Sequence, residues 1–228
     1  MKCAALFSGG KDSTRAIYLA QKAGHDVVVL LTVFSQNEES YMFHTCNIEL
    51  SKLQAQAMKL PQLVAETEGK KEEELEDLEK LIAEAKNKFG IEGVVCGGLA
   101  SVYQGSRIEK ICKGLKLEML APLWCIPAEE HLKGLLREGF KVIFTGVFAD
   151  GLGKEWLGRE LDEKAVQELL ELEKKKGVSP VGEGGEFESA VLDCPLFKGK
   201  IKIVESEPKW EGLSGKLLIK KTYLISKP

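Results

Sequence analysis

Short apolar runs and longer amphipathic segments alternate along the first half of the chain. The apolar runs predict strands buried on both faces, because such strands read as continuous apolar and β-branched segments. The segments between them carry apolar residues at helical spacing, which predicts helices with one buried face. The predicted strands cover residues 3–7, 26–34, 63–66, 93–98 and 117–120, and the predicted helices cover residues 14–23, 47–58, 70–89 and 100–114. This order predicts an α/β fold with a doubly wound parallel sheet.

The pattern changes near residue 125, where Pro122 and Pro127 bracket a short apolar segment. Beyond it, helices and a strand are followed by three more strands. The predicted helices cover residues 128–138 and 162–176, and the predicted strands cover residues 141–149, 187–192, 200–204 and 216–225. The last two strands read as an antiparallel pair, because glycines between them favour a turn. We therefore expect a larger α/β domain at residues 1–125 and a smaller α+β domain at residues 126–228.

Composition narrows the class of protein. The chain is 44% hydrophobic and 29% charged, with a formal net charge of −3, which does not favour strong nucleic-acid binding. It shows no apolar run long enough for a membrane and no secretory signal, so we expect a cytoplasmic protein. The six cysteines include no C-x-x-C pair, and we interpret them, Cys194 included, as packed thiols. Pairing of two copies as a homodimer is left open.

The sequence SGGKDS at residues 8–13, which we call the first glycine turn, joins the first predicted strand to the first helix. A strand, a glycine turn and a helix point backbone N–H groups and the positive end of the helix at an anion. Lys11 adds a mobile positive charge for phosphate, and Asp12 suits a metal ion. The spacing differs from the Walker pattern G-x-x-x-x-G-K-[ST]. The segment therefore predicts a phosphate site of another kind.

Two further stretches follow predicted strands of the same sheet. The apolar loop after the second strand contains His44, which is suited to contact phosphate or substrate beside an adenine pocket. Gly97 and Gly98 precede the helix that carries Gln104 and Arg107, which repeats the arrangement of the first glycine turn. An arginine there can pair bidentately with a carboxylate or phosphate. The alternative is that His44 is an ordinary polar residue of the surface or core, and that Gln104 and Arg107 are surface residues of an amphipathic helix.

A second glycine-rich segment, GEGGEFES, occupies residues 182–189. We call residues 182–186 the acidic turn. Glu183, Glu186 and Glu188 interleave with its glycines, and carboxylates held in this way suit Mg²⁺, an ammonium species or a base. A flexible acidic surface turn is the alternative.

These motifs together resemble a known family. The first glycine turn resembles the pyrophosphate-binding loop of the N-type ATP pyrophosphatases, which cleave ATP between the α and β phosphates and adenylate an acceptor oxygen. Further motifs narrow the resemblance to the diphthine–ammonia ligases. They are SYMFHT at 40–45, S-x-Y-Q-x-x-R-I-E at 101–109, PLW at 122–124, G-L-x-x-x-W-L-G-R at 151–159, GEGGEFES at 182–189 and VLDCPLF at 191–197. Cys46 and Ser189, the latter in place of a commoner threonine, are mild departures.

The resemblance implies a fold like that of the HUP proteins and adenine nucleotide alpha hydrolases. It implies amidation of diphthine on translation elongation factor 2 with ammonium, forming diphthamide. ATP would be cleaved to AMP and pyrophosphate through an acyl-adenylate, with Mg²⁺ as the metal. Under this resemblance the first domain binds ATP and the second binds the acceptor.

The resemblance also implies roles for individual residues. The implied catalytic residues are Lys11, Asp12, Arg107, Glu186 and Glu188. The implied ATP-binding residues are Ser8, Gly9, Gly10, Lys11, Asp12, Ser13, Thr32, Val33, Phe34, His44, Gly97 and Gly98, with Asp12 as the Mg²⁺ ligand. The implied substrate-binding residues are Gln104, Arg107, Glu183, Glu186, Glu188 and Ser189.

Other functions stay open at this stage. A small-molecule amidoligase would need the same ATP site. A tRNA-modifying pyrophosphatase is less favoured, because the chain shows neither a paired-cysteine motif nor a positive charge balance. A non-enzymatic nucleotide-binding module would not need the acidic turn.

Overall fold

A computed structural model describes residues 1–35, 48–67, 73–99 and 102–227. Within these ranges the chain divides into two compact units. The first unit comprises Met1–Ser8 and Asp12–Trp124, and the second comprises Gly9–Lys11 and Cys125–Pro228. Three residues of the first glycine turn therefore belong to the second unit.

The first unit is built around a parallel sheet. Its elements are β1 (Lys2–Leu6), α1 (Lys11–Lys22), β2 (Asp26–Ser35), α2 (Ile48–Met58), β3 (Gln62–Thr67), α3 (Glu73–Phe89), β4 (Gly93–Val95), α4 (Val102–Gly114) and β5 (Glu118–Leu120). The strand order is β3-β2-β1-β4-β5, and every pair is parallel. The predicted doubly wound α/β fold is confirmed. The order reverses beside β1, and ligands of open α/β sheets bind at such a point.

Apolar side chains of α3 and the sheet form the core of this unit. Val29, Leu31 and Val33 project from β2 toward the helix residues Leu78 and Ile82, all in one buried cluster. The residues between them on β2 are buried as well, so both faces of the strand are covered. This explains why β2 reads as a nearly continuous apolar sequence.

The second unit contains an antiparallel sheet with two helices. Its elements are α5 (Ala128–Arg137), β6 (Lys141–Val147), a 3-10 helix (Lys154–Trp156), α6 (Glu163–Lys176), β7 (Phe187–Asp193), β8 (Gly199–Glu211) and β9 (Ser214–Ser226). The strand order is β7-β6-β9-β8, with antiparallel pairs. Both the α+β character and the antiparallel β8–β9 pair are confirmed. Among the described residues, no helix is long and apolar enough to cross a membrane.

Several element boundaries differ from the sequence predictions, and the largest difference is in β8. Helix α1 begins at Lys11, so the second half of the first glycine turn already forms its first helical turn. Strand β8 extends to Glu211, although its second half, ESEPKWE, is polar and contains Pro208. Register with β9 rather than local apolar patterning supports this extension, and proline is tolerated because β8 lies at the edge of the sheet.

Candidate functional site

A chain of buried and partly buried hydrogen bonds holds the start of the first glycine turn in the first unit. The Thr32 hydroxyl donates to the Phe7 carbonyl over 2.8 Å, directly before the turn. Gln62 Nε2 donates to Thr32 Oγ1 at 2.7 Å and to Ser51 Oγ at 3.1 Å. Thr32 therefore ties β2 to the end of β1 through its hydroxyl. Sequence reasoning placed Thr32 near adenine and missed Gln62 and Ser51.

The two serines of the turn meet across it. Ser13 Oγ accepts from the Ser8 backbone N–H at 3.3 Å, and the two hydroxyl oxygens are 3.1 Å apart. Gly9, between them, has φ of +80°, a conformation that favours glycine. The turn is thereby closed on itself at the N-terminus of α1, where backbone N–H groups lie at the positive end of the helix.

Gly97 packs its backbone against this helical turn. A Cβ atom at Gly97 would lie 2.8 Å from both the N and the Cα atoms of Ser13. Real Cβ atoms do not approach backbone this closely, so only glycine fits here without a shift. The structure therefore brings Gly97, predicted from its place after a strand, directly to the first glycine turn. Gly98 lies beside it and is half-buried.

Gly9 and Lys11 are hydrogen-bonded to β7 within the second unit. The Val191 N–H donates to the Gly9 carbonyl at 3.1 Å, and the Lys11 N–H donates to Ser189 Oγ at 3.2 Å. Strand β7 is the edge strand of its sheet, so one of its sides is open to this pairing. Ser189, predicted as substrate-binding, here receives the first N–H of α1.

The Lys11 side chain is held rather than mobile, contrary to the prediction. It is 3% exposed, and Nζ donates to the Val181 carbonyl at 2.5 Å. Nζ also lies 4.9 Å from the centre of the Phe187 ring, at cation–π distance. The sequence could not reveal this, because the partners are about 170 residues away. The Lys11 side chain therefore has a defined orientation.

The acidic turn is ordered by its own carboxylate. Glu186 Oε1 accepts from the Ser179 N–H at 3.0 Å, and Oε2 accepts from the Gly184 N–H at 2.8 Å. Gly182 and Gly185 have φ of +74° and +84°, which only glycine adopts readily. The interpretation as a flexible surface turn does not fit this network.

The neighbouring predicted residues face different surroundings. Glu188 lies on β7 opposite Gly146 of β6, and a Cβ atom at Gly146 would be 3.3 Å from Glu188 Oε2. Glu188 is partly exposed, whereas Glu183 is exposed on the turn. Gly146 therefore leaves room for the Glu188 carboxylate.

The remaining predicted residues are placed as follows. Gln104 and Arg107 lie on α4 of the first unit, and Arg107 is partly exposed. Val33 and Phe34 are both 7% exposed, and Val33 belongs to the core cluster, so its side chain does not line an open pocket. Asp12 is half-buried in the first turn of α1. His44 lies outside the described residues.

The thiols of Cys96 and Cys194 are buried. Burial raises the pKa of the Cys194 thiol to about 12, so it is protonated at neutral pH. Burial likewise raises the pKa of Cys96, beside Gly97. No group of three or more His, Cys, Asp or Glu residues that could hold a metal ion occurs among the described residues.

The segment around Trp156 and Arg159 has a structural role. Trp156 is buried, and Arg159 stacks over its ring at 4.4 Å. Arg159 also forms an ion pair with Glu168 of α6, and this ion pair lowers the pKa of the Glu168 carboxyl. Trp156 in turn contacts Phe144 edge-to-face at 4.9 Å. This motif therefore supports the core of the second unit.

Comparison with known proteins gives matches along most of the chain. A family model described as the diphthamide synthase N-terminal domain matches residues 1–119, and one described as the diphthamide synthase C-terminal domain matches residues 128–225. The diphthine–ammonia ligase of Mus musculus is 40% identical over 226 residues, which cover 91% of this chain and 84% of that protein. The corresponding protein of Homo sapiens is 38% identical over 229 residues, with the same coverage.

A solved structure also matches, at a lower level. It is described as a predicted subunit of a tRNA methyltransferase from Methanocaldococcus jannaschii and is 17% identical in sequence. The match covers 86% of this chain and 98% of that chain, with a TM-score of 0.43.

Proposed function

The chain belongs to the diphthamide synthase family, whose named members are ligases, and on that premise we propose that it amidates diphthine on translation elongation factor 2 with ammonium. The product would be diphthamide. The observation that supports this most strongly is that both family models match, one after the other, across most of the chain.

The chemistry requires activation of a carboxylate. A carboxylate is a poor electrophile because its leaving group would be oxide. In the proposed reaction a diphthine carboxylate oxygen attacks the α-phosphorus of ATP, and pyrophosphate leaves. Ammonia then attacks the acyl carbon of the acyl-adenylate, loses a proton, and AMP leaves. Catalysis would come from positioning and from stabilisation of developing charge, without a covalent enzyme intermediate.

We assign ATP binding to the first domain together with the first glycine turn. The N–H groups at the start of α1, with Ser8, Gly10 and Ser13, would hold the β and γ phosphates. Lys11 would add its charge as pyrophosphate leaves. The adenine would lie at the carboxyl end of β2, near Thr32 to Phe34. Because those side chains are buried, the backbone there would contact the base.

Further residues would handle the reacting carboxylate and the α-phosphate. Gln104 and Arg107 on α4 would hold either group, and a planar guanidinium suits bidentate contact with both. His44 would contact phosphate or substrate. Asp12, at the N-terminus of α1, fits Mg²⁺, since that ion is commonly held by one or two carboxylates together with substrate phosphates. When bound, Mg²⁺ would supply neutralisation of phosphate charge.

We assign the acceptor and ammonium to the second domain. Glu183, Glu188 and Ser189 would bind ammonium or the trimethylated cation of diphthine, and Glu188 is a candidate base that would take a proton from ammonium to give the attacking ammonia. The support for Glu188 is its partial exposure on β7 beside Gly146. Glu186 belongs to the same set by sequence, but its two carboxylate oxygens already order the acidic turn.

A direct test uses the purified protein with ATP, Mg²⁺, ammonium and elongation factor 2 that carries diphthine. Mass spectrometry of the elongation factor should show conversion of the carboxylate to the amide, with AMP and pyrophosphate formed in equal amounts. An unchanged elongation factor would contradict the proposed acceptor. Production of ADP and phosphate would contradict the proposed cleavage of ATP.

A further inference from the structure

Glu186 closes a short segment of chain into a ring. Its two carboxylate oxygens accept N–H groups from Ser179 and Gly184, which lie on either side of Val181. Backbone bonds complete the ring: the Gly182 N–H donates to Ser179 O at 3.1 Å, and the Gly185 N–H donates to Gly182 O at 3.2 Å. The Val181 carbonyl therefore belongs to a segment that the Glu186 carboxylate closes into a ring.

The Val181 carbonyl is the acceptor for Lys11. Nζ of Lys11 lies 2.5 Å from it and 4.9 Å from the ring of Phe187, the residue that directly follows Glu186. The Glu186 carbonyl accepts from the Phe148 N–H at 2.9 Å, which anchors this end of the turn beyond β6. These two contacts of the Lys11 ammonium are therefore made with a carbonyl inside the ring closed by Glu186 and with the residue that directly follows Glu186.

We propose that Glu186 is a positioning residue that holds the Lys11 ammonium in place through the Val181 carbonyl. The phosphate that Lys11 would serve is taken from the proposed function, on which this part of the inference rests. The positioning itself concerns only contacts within the second unit. It separates Glu186 from Glu188, because Glu186 acts on the lysine and Glu188 on the acceptor side.

Two substitutions perturb the ring in different ways. In Glu186→Gln, one carboxylate oxygen becomes an NH₂ group, which cannot accept an N–H, so one of the two amides loses its partner. In Gly184→Ala, the new Cβ would lie 2.7 Å from Glu186 Oε1, and the flexible carboxylate must move away. The second variant retains the charge of Glu186. Matched controls are Glu173→Gln, an exposed carboxylate on α6, and Gly114→Ala, whose Cβ would meet nothing within 4 Å.

The primary readout is the rate at which an amine-reactive acylating reagent modifies Lys11, followed by peptide mass spectrometry on the full chain. Lys11 is buried in the wild-type protein, so its modification should be slow. Loss of one charge-assisted bond corresponds to about a tenfold change in an equilibrium. We expect about a tenfold faster modification in Glu186→Gln and a smaller increase in Gly184→Ala, with both controls at the wild-type rate. Thermal unfolding curves show whether the variants remain folded at the temperature of the modification reaction.

Steady-state kinetics provide the second readout. We expect both variants to raise the KM for ATP several-fold while the KM for ammonium stays unchanged. Wild-type modification rates at Lys11 in both folded variants would overturn the inference, as would a raised KM for ammonium alone. Should Glu186→Gln fail to fold, Gly184→Ala decides the outcome. The modification rate does not require turnover, so it supports or overturns the positioning even if the protein does not amidate diphthine.

Discussion

The two glycine-rich turns of this chain direct their backbone N–H groups to different kinds of acceptor. In each turn, at least one glycine adopts positive φ. The first glycine turn leads into α1, so its N–H groups lie at the positive end of a helix. The acidic turn leads into β7, and two nearby N–H groups, from Ser179 and Gly184, are directed to the carboxylate of Glu186.

This difference distinguishes the turn that is proposed to bind phosphate from the turn that is proposed to position Lys11. A helix N-terminus presents donors to an anion supplied from outside, whereas the second turn carries its own anion. Three consecutive residues, Gly9–Lys11, belong to the first turn by sequence and to the second unit by packing. Their bonds to Val181, Ser189 and Val191 show that the turn proposed to bind phosphate is built partly by residues far along the chain.

The largest effect is expected from removing the ammonium of the first turn. Lys11→Ala should lower kcat/KM for ATP by about 100- to 1,000-fold, as expected when a charge that stabilises the leaving pyrophosphate is lost. The free energy of unfolding should fall by only about 1–3 kcal/mol, since one buried bond is lost. Steady-state kinetics and urea titration measure the two quantities. Lys22→Ala, exposed on the same helix, should match the wild type, and equal turnover by both variants would remove Lys11 from the mechanism.

A methyl group at Gly97 tests the packing of the first turn. Gly97→Ala should displace Ser13 and weaken ATP binding about tenfold, because its Cβ would lie 2.8 Å from backbone atoms that cannot rotate away. Overpacking of this kind costs about 1–3 kcal/mol of stability. Isothermal titration with ATP measures the binding. Binding as tight as in Gly114→Ala would show that the turn tolerates the displacement.

Substitutions at Ser189 test how much the hydrogen bond from the Lys11 N–H to β7 contributes to ATP binding. Ser189→Ala removes the acceptor and should raise the KM for ATP by about three- to tenfold, the value of one hydrogen bond. Ser189→Thr keeps a hydroxyl on a strand position that suits a β-branched residue, so it should behave like the wild type. If alanine and threonine variants raise KM equally, the hydroxyl is not the relevant group.

The smallest effect on activity is expected at Cys194. Because it is buried and protonated, Cys194→Ala should leave kcat unchanged at neutral pH, and a large loss would favour a nucleophilic thiol. Its pKa rises from 9.0 to about 12 on folding. The unfolded thiol therefore ionises first, and stability should fall as pH rises above 9, by about 1.4 kcal/mol per unit. Urea titrations at about pH 8 and about pH 10 should show less of this fall in the variant.

Local sequence patterns predicted the first unit well. The parallel sheet follows from apolar runs such as the one that forms β2, and the first glycine turn lies between β1 and α1 as predicted. The close approach of Gly97 agrees with its position after β4. These features depend on residues near one another in sequence, where periodicity and turn chemistry are informative.

Features that depend on contacts between residues far apart in the sequence could not be predicted from local patterns. The burial of Lys11 requires Val181 and Phe187, and the buried Gln62–Thr32–Phe7 chain requires three separate segments. A flexible acidic turn stayed open as an alternative, because composition does not show that Glu186 reaches back to Ser179. Strand β8 was predicted too short, since its polar second half is paired only through β9.

The central claim is that the first glycine turn serves the adenylation of an acceptor carboxylate. Elongation factor 2 whose diphthine carboxylate carries oxygen-18 tests this most directly, when incubated with the protein, ATP, Mg²⁺ and ammonium. The account predicts that mass spectrometry finds the heavy oxygen in AMP and an amide on the elongation factor. Amide formation with the heavy oxygen in inorganic phosphate would contradict the acyl-adenylate and the role given to the first glycine turn.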